Sequence, residues 1–151
     1  MKISVITAVY NNRDTIAQAL DSALAQTHPD VELIVIDGGS ADGTLQVLQD
    51  YANRLAVLVS EPDRGIYDAL NKGIARASGE VVGFLHSDDL FADAAVLSRI
   101  GAAFANPEVD AAYGDLLYVG KDDPSRVLRT WRSDVFSAAR LARAMPLFSA
   151  S

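Results

Sequence analysis

The sequence predicts an α/β protein: a mainly parallel sheet with helices on both faces, plus a short antiparallel addition near the C-terminus. Three observations lead there. Apolar, β-branched runs alternate with segments of helical periodicity along residues 3–85, the rhythm of a parallel sheet joined by helical crossovers. The runs are continuously apolar rather than alternating, as strands buried on both faces must be. Each run ends in small and polar residues, at the carboxyl ends of the strands, where ligands of such folds bind.

Ile3 to Val9 is the first strand, and Tyr10-Asn11-Asn12 begins a turn. Ile16, Leu20, Ala23 and Leu24 recur at helical spacing until His28-Pro29 stops the helix. Residues 31–36 form a second strand, closing on Asp37-Gly38-Gly39-Ser40-Ala41-Asp42-Gly43-Thr44. A second helix turns Leu45, Leu48 and Tyr51 inward. The third strand, 55–59, ends at Ser60-Glu61-Pro62-Asp63-Arg64-Gly65. Ile66, Leu70 and Ile74 mark the inner face of a third helix, which Gly79 is placed to terminate. The fourth strand, 81–85, runs into His86-Ser87-Asp88-Asp89. A helix over 92–105 follows, ended by Asn106-Pro107. Strands over 111–119 and 126–131 flank the polar turn 120–125, and a short amphipathic helix covers 136–144.

At 151 residues the length fits one domain with a substantial core. The net charge of −7 argues against a nucleic-acid partner, which needs clustered Lys and Arg. The absence of Cys excludes disulfides and zinc–thiolate sites. No apolar run approaches the roughly 20 residues of a membrane span. The N-terminal apolar run is too short for a signal peptide, so the chain reads as soluble.

Asp88 and Asp89 carry the first chemical argument. Adjacent carboxylates at the end of a buried strand repel each other unless a divalent cation bridges them to a phosphate. A helix cap or solvated loop is the alternative; the company of three other polar strand ends favours the cation. In Asp37-Gly38-Gly39-Ser40, the acid can accept from a base or ribose while glycine allows close approach. Ser40 or Asp42 caps the following helix in either case. The segment is no phosphate-binding P-loop, because the Gly-Lys-Ser/Thr ending is absent. Arg64 suits a diphosphate or base edge, or a surface pair with Glu61 or Asp63. Asn71, one turn past Tyr67, faces either the cleft or solvent. Tyr10 either stacks on a nucleobase or packs the strand end, and Asn11 can bond a ribose. His86 reads as a satisfied, half-buried histidine, and His28 as structural. Trp131 lines an acceptor pocket or joins the core.

Taken together, Ile6-Thr7-Ala8-Val9-Tyr10-Asn11, Gln26-Thr27-His28-Pro29, Ile36-Asp37-Gly38-Gly39-Ser40-Ala41-Asp42-Gly43-Thr44, Asp63-Arg64-Gly65-Ile66-Tyr67-Asp68-Ala69-Leu70-Asn71-Lys72-Gly73, Ala77-Ser78-Gly79-Glu80 and Ser87-Asp88-Asp89 are specific in their order and spacing. Over about residues 1–132 they resemble the nucleotide-binding half of family 2 glycosyltransferases, of the bacterial polysaccharide-building kind, with the Rossmann-like GT-A fold. The resemblance implies inverting transfer of a sugar from a nucleoside-diphosphate donor to an acceptor hydroxyl of a glycan or lipid-linked molecule. It implies a cytoplasmic location, at most peripheral to the inner face of the membrane. It places the nucleotide sugar on Ala8, Val9, Tyr10, Asn11, Asp37, Gly38, Arg64, Asn71, Ser87 and Asp88, with Asp89 ligating Mn²⁺ or Mg²⁺.

Gly38 departs from the pattern. Many members carry Asp there, bonding uracil, so UDP, GDP and dTDP donors all stay open. The resemblance makes 1–151 a single GT-A domain, with 1–90 as the nucleotide-binding half and 91–151 as helix, hairpin and terminal helix. The acceptor-side portion and its general base are expected to be missing. Asp115, Asp122, Asp123 and Asp134 are available acids, and none matches the family's base. An apolar patch around Leu141, Met145, Leu147 and Phe148 would then pair copies of the chain. The alternative reading is a non-catalytic nucleotide-sugar-binding or assembly module.

Overall fold

Ile3–Val9 forms β1, and every residue of it is buried. The computed structural model describes residues 1–120 and 123–133, divided into a unit of Met1–Asp110 and a second beginning at Ala111. In the first unit, β1 runs parallel to β2 (Val31–Asp37) from Ile3↔Val31 to Val9↔Asp37. On its other side lies β4 (Val81–Phe84), from Ile3↔Val81 to Ile6↔Phe84. β3 (Val57–Ser60) pairs with the outer side of β2, so the order is β3-β2-β1-β4. The chain steps outward from β1 to β3 and then crosses back to place β4 beside β1. That reversal creates a crevice beyond the carboxyl ends.

The two faces follow from the two-residue period of a strand. Ile3, Val5, Val9, Leu33 and Val35 pack under α1 (Arg13–Leu24), α2 (Thr44–Tyr51) and α4 (Val96–Ala103). Ile6, Ala8, Ile34 and Ile36 pack with Ala69 of α3 (Ile66–Ile74) on the opposite face. Helices therefore cover both faces, as the continuous apolar runs require. In α1, Ile16, Ala19, Leu20 and Ala23 form the buried stripe, each large aliphatic side chain contributing about 1.5–3 kcal/mol.

Several local expectations change. The buried residues of α3 are Ala69 and Gly73, whereas Ile66 and Ile74 are 48% and 45% exposed. Leu70, half-buried, packs against the sheet, while at Gly73 a Cβ would overlap Ile6 Cγ2, so only glycine fits at that point of closest approach. In α2, Leu48 and Tyr51 are buried as expected, but Leu45 is half-buried and Thr44 fully buried. Residues 52–54 form a short 3₁₀ turn, which delays β3 to Val57. α4 starts at Val96 rather than 92, because Asp93 first forms a turn, its Oδ1 accepting the Ala95 N–H at 2.8 Å.

Gly79 does not terminate α3, which ends at Ile74. It lets the chain pass against β1: a Cβ there would stand 2.8 Å from both the Lys2 carbonyl oxygen and the Ser4 nitrogen. Its own N–H donates to Ser4 Oγ (2.9 Å) and to Glu32 Oε1 (3.2 Å). Glu32, buried at the start of β2, also accepts from the Ser78 N–H at 2.6 Å and the Ser78 hydroxyl at 2.8 Å.

In the second unit, β5 (Leu116–Val119) and β6 (Val127–Trp131) pair antiparallel with an irregularity at Tyr118/Val119. This is the expected antiparallel addition, with shorter strands. Asp123 Oδ1 binds the turn through the Ser125 N–H (3.0 Å) and hydroxyl (2.6 Å). Asp115 Oδ1 closes the open end, accepting from the Ser133 N–H at 2.7 Å and hydroxyl at 2.8 Å. Trp131 is 55% exposed rather than core, and with Tyr113, Gly114, Leu116 and Ser133 it lines a hollow of about 250 Å³. The expected helix over 136–144, the patch at Leu141, Met145, Leu147 and Phe148, and the acids Asp122 and Asp134 lie outside the described residues. No helix among the described residues is long and apolar enough to cross a membrane.

Candidate functional site

A cleft of about 640 Å³ opens beyond the carboxyl ends of the sheet. Ala8, Val9 and Tyr10 enter it from β1, Gly38 and Gly39 from the β2 loop, and Pro62, Asp63 and Gly65 from the β3 loop. Ile66 and Ala69 of α3 and Ser87 after β4 complete the wall. All four polar strand ends singled out in the sequence thus meet at one place. Among the expected binding residues, Ala8, Val9, Tyr10, Gly38 and Ser87 line the cleft; Asn11, Asp37, Arg64, Asn71, Asp88 and Asp89 do not.

The floor is built around Asp37, which is completely buried. Its carboxylate accepts from the Ser60 hydroxyl at 2.6 Å and the Ser40 N–H at 3.1 Å, and the Ser40 hydroxyl also donates to it. Asp37 therefore ties the loop after β2 to the end of β3, beneath the cleft. Asn11 ties the same loop to β1: its N–H donates to Ser40 Oγ and its Oδ1 accepts from the Ala41 N–H, both at 2.8 Å. This link holds Asn11 at φ +47°, a left-handed conformation that Asn tolerates better than bulkier residues. Asp42 caps two helices at once, accepting from the Thr44 N–H and hydroxyl and from the Arg13 N–H. The Thr44 hydroxyl is the main cause of its lowered pKa, with a smaller opposing effect of desolvation.

Gly38 sits at the tightest point of the wall. It is buried, and its N–H donates to the Val9 carbonyl at 2.9 Å. A Cβ there would lie 2.6 Å from Asp63 Oδ2 and 3.3 Å from Tyr10 Cδ2. Asp63 Oδ1 accepts the Gly65 N–H at 2.8 Å, and Gly65 takes φ +107°, which glycine adopts at little cost. Arg64, by contrast, points away: its side chain is 91% exposed and its guanidinium stands 3.5 Å from Asp68. The surface pair expected with Glu61 or Asp63 is made with Asp68 instead, while Glu61 pairs with Lys72 at 2.9 Å. Asn71 is exposed on α3.

The segment after β4 is fastened to the β1 loop. Asn12 Nδ2 donates to Ser87 Oγ at 2.8 Å, and the Thr15 hydroxyl lies 2.8 Å from both Ser87 O and Asn12 Oδ1. A turn follows in which the Asp89 N–H donates to the His86 carbonyl at 3.0 Å. His86 is exposed rather than half-buried. Asp89 is open to solvent at its surface, yet its carboxyl pKa is raised, first by partial desolvation and then by the like charge of Asp88, with His86 opposing. Among the described residues no group of three or more His, Cys, Asp or Glu side chains is arranged to hold a metal.

Sequence reasoning passed over Asp63, Gly65 and Pro62 as wall residues, and Asn12 and Thr15 as tethers. Asp63 lies within a motif that was singled out, but the neighbouring Arg64 drew the argument because its charge complements phosphate. The tethers join residues more than seventy positions apart, a relationship with no local signal.

The model of the family described as "Glycosyl transferase family 2" matches residues 4–148. The "PGL/p-HBAD biosynthesis glycosyltransferase" of Mycobacterium bovis (strain BCG / Pasteur 1173P2) is 36% identical over 118 residues, 76% of this chain and 46% of its own length. The chain thus spans less than half the length of such curated relatives. Among solved structures, mannosyltransferase PcManGT from Pyrobaculum calidifontis, in complex with GDP-Man and Mn²⁺, superimposes with a TM-score of 0.66 at 28% identity. That match covers 78% of this chain and 35% of PcManGT. S. aureus TarS 1-349, in complex with UDP, gives a TM-score of 0.62 at 32% identity, covering 70% of this chain and 32% of TarS.

Proposed function

The chain belongs to glycosyl transferase family 2, and from that premise we propose that its cleft binds a nucleoside-diphosphate sugar for inverting transfer to an acceptor hydroxyl. The convergence of all four strand ends on one cleft carries the reading. In it, Ala8, Val9 and Tyr10 flank the base, and Asn11 and Asp37 hold the loop on which Gly38 stands. Ser87 faces the donor and Asp88 approaches the ribose, whereas Arg64, turned to Asp68, and Asn71, exposed on α3, would reach a bound diphosphate only by changing rotamer. Residues 1–90 supply the nucleotide-binding half. The acceptor is a glycan or lipid-linked molecule of a bacterial cell surface, reached from the cytoplasmic side of the membrane.

The oxygen donors of Asp88 and Asp89 fit a hard cation, Mn²⁺ or Mg²⁺, which commonly takes one or two carboxylates and completes its shell with phosphate oxygens and water. Asp89 is the proposed protein ligand. When bound, the cation neutralises charge on the departing diphosphate. The Mn²⁺ and GDP-Man of PcManGT and the UDP of TarS support this reading by analogy.

A second reading, nucleotide-sugar binding without transfer, draws on Asp115 and Asp123. Ser133 N–H and hydroxyl lower the pKa of Asp115, and the Ser125 hydroxyl and N–H lower that of Asp123, which makes both poor general bases. Sugar transfer from a labelled donor to an acceptor or to water separates the two readings. The test common to both is calorimetry with UDP, GDP and dTDP, with and without Mn²⁺, on the wild type and Asp89→Asn. The expected result is metal-dependent binding of one nucleotide that Asp89→Asn loses. Unchanged metal-dependent affinity in that variant would remove Asp89 as the ligand.

A further inference from the structure

We infer that Asp63 reads the nucleobase, and that position 38 is glycine because the Asp63 carboxylate fills the space a side chain there would need. The inference rests on the nucleotide-sugar reading of the cleft and deepens it. A Cβ at Gly38 would stand 2.6 Å from Asp63 Oδ2 and 3.3 Å from Tyr10 Cδ2. A carboxylate oxygen and an aromatic ring therefore converge on one point of the wall, and both residues line the cleft.

The carboxylate is oriented. Oδ1 is held by the Gly65 N–H at 2.8 Å, so Oδ2 is the oxygen presented towards Gly38. The neighbouring cations are engaged elsewhere. Arg64 is turned to Asp68, Lys72 serves Glu61 and Asp68, and no ion pair among the described residues includes Asp63.

Such an oxygen accepts and never donates. Beside a ring that offers a stacking face, it complements a planar heterocycle with an N–H on its edge. Uracil and thymine present an imide N–H, and guanine a lactam N–H. Cytosine and adenine present a ring-nitrogen lone pair at the corresponding position and offer the carboxylate only their exocyclic amino group, the weaker match. The substrate class is therefore a uracil, thymine or guanine nucleotide. An Asp at position 38 would push the Asp63 carboxylate off its present place and face it with a like charge, so two acids here would compete for one position.

The test is calorimetry of the whole chain with Mn²⁺ and UDP, dTDP, GDP, CDP and ADP in turn. The strongest ligand is expected among the first three, by about 10- to 100-fold over CDP and ADP, the usual range for a hydrogen bond to a charged group. Asp63→Asn keeps Oδ1 for Gly65 and turns an amide donor outward, so the preference should collapse or reverse towards CDP. Gly38→Asp should abolish binding, and Gly38→Asp with Asp63→Gly should restore it to within about ten-fold of wild type. Urea unfolding of each variant separates loss of binding from loss of fold. An unchanged base preference in Asp63→Asn, or no rescue by the double variant when it is folded, overturns this inference and leaves the nucleotide-sugar reading standing. No nucleotide binding by the wild type overturns both.

Discussion

Lys2 Nζ stands 2.6 Å from Glu32 Oε2, an ion pair that joins the beginnings of the two central strands. Ser4, Ser78 and Gly79 complete the shell around that carboxylate, and only 9% of the Glu32 side chain is exposed. Burial alone would raise the Glu32 pKa; Lys2, then Ser4 and Ser78, outweigh it and lower the value from 4.5 to about 2.

This sets a pH dependence. As pH falls, the unfolded chain takes up its proton first, so the contribution of Glu32 is complete above about pH 4.5 and is lost towards pH 2. Glu32→Gln should cost about 1–3 kcal/mol at neutral pH. Urea unfolding of both proteins across that range should show the gap narrowing as pH drops. A gap constant with pH would mean that the charge of Glu32 contributes nothing.

Gly79→Ala should destabilise the fold by about 1–3 kcal/mol. The added methyl meets backbone atoms of Lys2 and Ser4 at 2.8 Å, and backbone in the first strand has nowhere to go. Gly83→Ala is the matched control: nothing lies within 4 Å of its Cβ position, so a change within about 0.5 kcal/mol is expected.

Gly73 and Ile6 should be energetically coupled. Gly73→Ala forces a methyl into Ile6 and should cost about 1–3 kcal/mol, and Ile6→Ala alone about 2–5 kcal/mol. Combined, they should cost less than the sum, because one substitution vacates what the other fills. Additive values in a double-mutant cycle would show that α3 shifts instead.

Asn12→Ala removes the tether on Ser87 without touching the acids that follow it. Nucleotide affinity in the presence of Mn²⁺ should fall about ten-fold, as when a group that orients a metal ligand is lost, and by more than the metal-free affinity does. Equal losses in both conditions would assign Asn12 to the cleft rather than to the acid segment.

The strands were legible because an unbroken β-branched run has few ways to be buried. Ile3 to Val9 is a strand in both readings, and the end of the second differs by one residue. The inner face of α3 was not legible. Hydrophobic periodicity weights Ile66, Leu70 and Ile74. Leu70 does pack on the sheet, but Ile66 and Ile74 are exposed and the buried positions are Ala69 and Gly73, where Ile6 leaves no room for a Cβ at 73. Asp37 shows a similar limit at the site. Its place at a strand end suggested a ligand acceptor, yet its oxygens hold Ser40 and Ser60, and the second partner is twenty-three residues away. Arg64 was noticed for its charge and Asp63 was not, because which of two neighbours turns inward depends on a loop held by Gly65 at positive φ.

The cleft draws its wall from residues as distant as Ala8 and Ser87, so no unfolded or half-assembled segment can reproduce it. Whatever occupies it binds the native state alone and shifts the folding equilibrium by mass action, by about 2.7 kcal/mol at a hundred-fold excess over Kd. The melting temperature of the chain is therefore itself a sensor of occupancy, and a library of candidate donors can be ranked by it before any product is measured.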